Sequence, residues 1–69
     1  MKCRNFRIDT QWIKNCKTVA GWFVLGQRST DLNWSLLHEA ASFEDAKTFI
    51  RGIRDEQTVY GPDGYEIKL

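Results

Sequence analysis

Helical spacing of apolar residues is clearest in the second half of the chain. Phe43, Ala46, Phe49, Ile50 and Ile53 fall at steps of three and four, one stripe of an amphipathic helix predicted from about Phe43 to Glu56. Ser42 stands where the N-cap belongs. Asp45 follows three residues on, a capping-box-like pair with Asp in place of Glu. Glu44 and Asp45 put negative charge in the first turn, where the helix dipole favours it. Lys47, Arg51, Arg54 and Asp55 lie mainly outside the stripe and are expected in solvent. Gly52 costs the last turn about 1 kcal/mol relative to alanine, so fraying is expected there.

The remaining pattern is strand-like. Asn5-Phe6-Arg7-Ile8-Asp9 alternates polar and apolar and predicts a strand. That strand either runs on to Ile13 or gives way to a short helical turn capped by Thr10 and holding Trp12, Ile13 and Cys16; a loop at Asn15–Ala20 suits both. Trp22–Gln27 and Asn33–Glu39 read as a hairpin across the polar connection Arg28–Leu32. After the helix, Gly61-Pro62-Asp63-Gly64 is a turn signal, since proline pre-sets a turn angle and glycine closes it. Tyr65-Glu66-Ile67-Lys68-Leu69 alternates as a final strand, with Gln57–Tyr60 either pairing with it or simply leading out of the helix.

The expected fold is α+β: a small antiparallel sheet of three to four strands in the order β-β-β-α-β, with one helix packed on one face. Phe6, Ile8, Val24, Phe43, Phe49, Ile50 and Ile53 are the expected core. One helix covers one sheet face, yet the strands are apolar on both. Trp22 and Val24 point one way, Phe23 and Leu25 the other, whereas a strand with one wet face alternates cleanly. Either the second face is covered by loop 10–20 and the C-terminal hairpin, or it presents an aromatic patch to a partner.

Size and composition narrow the picture. Residues 1–69 make one domain, with no room for a second core. Three Trp, four Phe and two Tyr allow a core from few side chains. The longest apolar run, Trp22–Leu25, is too short to span a bilayer, and no apolar stretch follows the basic N-terminus as a signal peptide requires. A cytoplasmic location is the expectation, with Cys3 and Cys16 as free thiols. Net charge is +1, unevenly spread. Residues 1–30 hold six cations against Asp9 alone, a balance of +5; residues 31–69 hold eight acids against four cations, a balance of −4. Such asymmetry marks a partner-binding surface if the two halves stay apart in space.

Reactive chemistry finds no setting. His38 and Glu39 are neighbours on a strand and point to opposite faces, so they cannot act on one atom. Neither cysteine sits in a motif with a histidine, and no Gly-x-Ser-x-Gly or phosphate-binding loop is present. Cys3, Cys16 and the single His38 fall short of the four ligands of a zinc site. No catalytic residue, cofactor or metal is expected.

Binding is the expected activity, and a protein the expected partner. Trp, Tyr and Arg dominate interface energies, and the sheet has a candidate spare face. Arg4, Arg7, Trp12, Lys14, Phe23 and Arg28 are the candidate contacts. In size and plan the chain resembles compact phage or prophage proteins that block a host enzyme by docking on it, which implies an inhibitor or adaptor. The alternative partner is nucleic acid. Arg4, Arg7, Lys14, Lys17 and Arg28 are interleaved with Phe6, Trp12, Trp22 and Phe23, a mixture suited to phosphates and stacked bases. The element order is similar to that of the integrase-arm DNA-binding folds, which implies the same. A homodimer through the spare face is the third outcome.

Overall fold

The computed structural model describes residues 3–28 and 33–69, apart from the side chain of Cys3. Its elements are β1 (Cys3–Lys14), β2 (Lys17–Arg28), β3 (Trp34–Ala40), α1 (Phe43–Ile53) and β4 (Thr58–Tyr60). They form one four-stranded sheet in the order β3-β2-β1-β4, with α1 packed on it. The β-β-β-α-β order is the one the hydrophobic pattern predicts. The expected connection at Arg28–Leu32 falls mostly outside the described residues, as does the Cys3 thiol.

The sheet is mixed rather than wholly antiparallel. β1 pairs antiparallel with β2, and β2 with β3, but β4 pairs parallel with β1 through Asn5–Arg7 and Thr58–Tyr60. The cause is α1, which reverses the chain after β3 and returns it on the far side of β1. The final strand is therefore Thr58–Tyr60 and not Tyr65–Leu69. The latter segment folds back after the Gly61–Gly64 turn, joined by a bridge from Tyr60 to Glu66 and by the Ile67 N–H donating to Val59 C=O at 2.9 Å. Gly64 sits at φ 86°, a conformation glycine adopts without strain.

α1 starts as its sequence requires. Ser42 Oγ accepts from the Asp45 N–H at 3.1 Å, and Asp45 Oδ2 accepts from the Ala41 N–H at 3.0 Å. The reciprocal bond reaches one residue further back than in a capping box with Glu. The helix closes at Ile53, three residues before the expected end, when Arg54 turns to extended backbone while its N–H still donates to Ile50 C=O. Lys47 hydrogen-bonds Glu44 and adds its charge, and together these hold the exposed Glu44 carboxyl below its usual value of about 4.5.

The core is one cluster of Phe6, Ile8, Val24, Ala46, Ile50 and Val59, all buried. Trp22, Leu37, Phe43, Phe49, Ile67 and Leu69 pack around it half-buried. Trp22 meets Phe43 with ring centroids 5.4 Å apart, and His38 stacks on Phe49 at 4.3 Å. Of the expected core, Ile53 is the exception at 47% exposure, because it lies in the last helical turn, beyond this cluster. The strand phase holds: Trp22 and Val24 face α1, and Phe23 and Leu25 face away.

That opposite face is closed at its centre by the chain itself. Phe23 and Leu25 are each 2% exposed although no helix covers them. Cross-strand neighbours share a face, so three rows stand there: Asn5–Gln27–Trp34, Arg7–Leu25–Leu36 and Asp9–Phe23–Glu39. Asn5 donates to Gln27 at 3.2 Å, while the Arg7 stem is placed to shield Leu25. The expected spare aromatic face is not open at Phe23.

Removing buried methylenes should expose the difference between Ile50 and Ile53. Ile50→Ala is expected to cost about 2–4 kcal/mol and Ile53→Ala under about 1 kcal/mol. Urea unfolding followed by circular dichroism measures both; equal losses would contradict the placement of α1.

Candidate functional site

β1 and β2 are each 12 residues long, and their shared ladder outruns its neighbours. β3 pairs with β2 only over Trp22–Gln27, and β4 with β1 only over Asn5–Arg7. Residues from Gln11 to Gly21 therefore form a two-stranded arm with, among the described residues, no further strand on either side. Its end is a two-residue turn in which Asn15 and Cys16 have φ of 49° and 63°. Both values lie in the left-handed region of a type I′ turn, whose twist matches that of the flanking strands. Asparagine adopts it readily and cysteine does not. This is why the turn was hard to read: the sequence carries Asn-Cys where Asn-Gly would have marked a hairpin. Of the two readings of residues 10–16, the strand running on to Ile13 is the one found, since β1 continues to Lys14. No helical turn is capped by Thr10, and the expected loop at Asn15–Ala20 shrinks to the turn at Asn15-Cys16, with Lys17–Ala20 in β2.

The arm bends where it leaves the sheet. Asp9 Oδ1 accepts the Thr10 N–H at 2.7 Å and the Gln11 N–H at 3.4 Å, at a break in the β1–β2 register between Asp9 and Gln11. Across the break, Gly21 lies under the Phe23 ring, and a Cβ there would sit 3.1 Å from it. Lys14 then forms an ion pair with Glu39 of β3. Along a straight strand Lys14 would stand about 16 Å beyond Asp9, which is level with Glu39. The contact requires the arm to fold back toward the face that carries Glu39. Bulges of this kind sharpen twist and re-aim a strand.

Inside the bend is an open hollow of about 360 Å³, lined by Asp9, Gln11, Trp12, Ile13 and Thr18. Ile13 is 69% exposed and Val19 also reaches solvent, so the arm carries two of the four exposed large hydrophobic residues among those described. Residues 15–21 are all exposed. Thr18, Val19 and Gln11 had no distinguishing signal in the sequence, because their role depends on the turn at Asn15-Cys16.

The six sequence-derived candidates do not share one surface. Trp12 and Lys14 stand on the arm, half-buried. Arg4 and Arg28 are exposed at the opposite end of the hairpin, where Cys3 pairs with Arg28. Arg7 lies between, its Nε buried 3.8 Å from Asp9 Oδ2 and without a hydrogen bond. Phe23 is corrected from contact to core, since both its neighbours in the row and the Gly21 backbone enclose it.

Reactive geometry is sparse. His38 and Glu39 do point apart: the imidazole stacks on Phe49, with Nε2 3.7 Å from Asp45 Oδ2, while Glu39 meets Lys14. Among the described residues no three His, Cys, Asp or Glu side chains converge as metal ligands, and no helix is long and apolar enough to cross a membrane. Comparison with family models, curated proteins and solved structures finds no match for this chain.

The turn can be tested directly. Cys16→Gly removes a side chain from a left-handed position and is expected to stabilise the protein by about 0.5–1 kcal/mol after the entropy cost of glycine. A raised urea midpoint at unchanged slope is the expected result. A lowered midpoint would mean that the two-residue turn is wrong.

Proposed function

We propose that this chain is a non-enzymatic protein-binding module, acting as an inhibitor or adaptor, whose contact element is the arm of residues 11–21. The observation that carries the reading is the hollow beside Ile13: an exposed apolar residue at the rim of a concavity, on an element that the rest of the fold does not cover. Exposed apolar surface rimmed by polar groups is the usual mark of a docking site. Aromatic anchors at such sites carry most of the binding energy, and Trp12 is placed for that part. A cytoplasmic setting belongs to the same reading, supported by the exposed Cys16 thiol, which is best kept in a reducing compartment.

Nucleic acid is the weaker reading. It depended on Phe6, Trp12, Trp22 and Phe23 interleaved with cations, but Phe6 and Phe23 are buried, Trp22 packs on Phe43, and Trp12 stands at the end of the hairpin away from Arg4 and Arg28.

Affinity capture from lysate of the source cells, with wild type and variants matched for folded content, tests the proposal. Ile13→Glu changes an exposed side chain and is expected to reduce partner recovery by about tenfold or more, as an interface anchor does. Arg28→Glu, at the far end, should leave recovery unchanged. Loss through Arg28→Glu with Ile13→Glu silent would move the interface away from the arm.

A further inference from the structure

We infer that the outer edge of β1 accepts an extended, acidic segment of the partner protein as an added strand, with one apolar side chain of that segment seated in the hollow. The inference rests on the arm being the contact element.

The edge is open. β4 stops at the level of Arg7, so from Ile8 to Lys14 β1 has, among the described residues, a paired strand on the β2 side only. The phase of the ladder follows from the turn. A two-residue loop makes Lys14 and Lys17 a hydrogen-bonded pair, and Trp12 with Val19 is the next such pair. The backbone N–H and C=O of Gln11 and Ile13 are then directed away from β2. Asp9 Oδ1 holds the Gln11 N–H only loosely, at 3.4 Å, leaving Ile13 as the residue best placed to bond an incoming strand. Strand addition of this kind draws affinity from main-chain bonds and specificity from pockets for alternate side chains.

The hollow supplies that pocket. Four of its five lining residues, Asp9, Gln11, Trp12 and Ile13, belong to the same edge. Its volume of about 360 Å³ sits at the small end of ligand sites, which suits one large side chain rather than a cofactor.

Charge selects the partner. No Asp or Glu occurs between Asp9 and Asp31, and the arm is closed by Lys17 beside Lys14, which already pairs with Glu39. Asp9 accepts two backbone N–H groups and lies 3.8 Å from Arg7 Nε, which offset its charge at the hollow. An acidic segment is attracted to this end. A second copy of the chain would instead set cationic arm against cationic arm, an arrangement that cross-strand pairing penalises.

The test is selection of a random dodecapeptide library on the full chain, followed by amide exchange. Selected peptides should carry acidic residues flanking alternate apolar ones, and their binding should slow exchange at Ile13 by about tenfold or more. Ile13→Pro removes the outward N–H and should weaken them by a similar factor; if that variant unfolds, the wild-type exchange result decides alone. Peptides without acidic bias, unchanged exchange at Ile13, an empty selection, or capture of single-stranded DNA on the arm instead would each overturn strand addition. If partner capture still depends on Ile13 in any of those cases, the arm remains the interface and only its mode of engagement is wrong.

Discussion

Ile50 of α1 shares a single buried cluster with Ile8 of β1 and Val24 of β2, and nearly everything else hangs on that seam. A chain of this length buries only about 60% of its unfolded surface, so it can afford one such cluster and no more. The helix is held over the centre of the sheet, where β1 and β2 face each other at Ile8 and Val24. β4 is pinned by Val59, and the C-terminal segment by Ile67 and Leu69, to the same cluster. The outer half of the β1–β2 hairpin contributes no buried residue to it. Two strands alone are marginal in water, so the arm needs the bend at Asp9, the close approach at Gly21 and the Lys14–Glu39 pair to keep its shape. An exposed pair of that kind contributes less than about 1 kcal/mol, which orients the arm without locking it.

This division between a stapled body and a lightly held arm gives the molecule its candidate function. On the face opposite α1, Phe23 and Leu25 are buried at the centre, and Trp34 and Leu36 of β3 stand half-buried beside polar neighbours in the same rows. On the proposed reading the arm is the contact element, because exposed Ile13 and Val19 and a concavity coincide there. The sequence asymmetry survives in part: Arg4 and Arg28 stand at one end of the hairpin, Lys14 and Lys17 at the other and Arg7 between, instead of forming a single patch.

Much of the body was legible in advance. Ser42 and Asp45 mark the start of α1, and the stripe from Phe43 to Ile50 marks its buried side, because capping and period are local properties. The opposed directions of Trp22 and Phe23 also follow from strand alternation alone. What alternation cannot show is which face is closed, and so Phe23 read as a contact. Ile53 read as core because the stripe continues past the point where the sheet ends. For β4, the pairing of Gln57–Tyr60 with the last segment was one reading, met by the bridge from Tyr60 to Glu66. Its parallel pairing with β1 was hidden because a three-residue strand has one buried side chain, Val59, and no pattern. For the arm, strand through Ile13 was one of two readings, and Cys16, whose left-handed backbone no propensity announces, hid the turn that decides between them.

The central claim is that the arm is an element apart from the core, held out for a partner. Native-state amide exchange of the free protein measures this most directly. Amides of Ile8, Val24 and Ile50 should exchange only through global unfolding, while those of residues 12 and 19, paired within the arm, should open at a free energy several kcal/mol lower. Arm amides as slow as those of Val24 would contradict the claim, because the arm would then be part of the cooperative core.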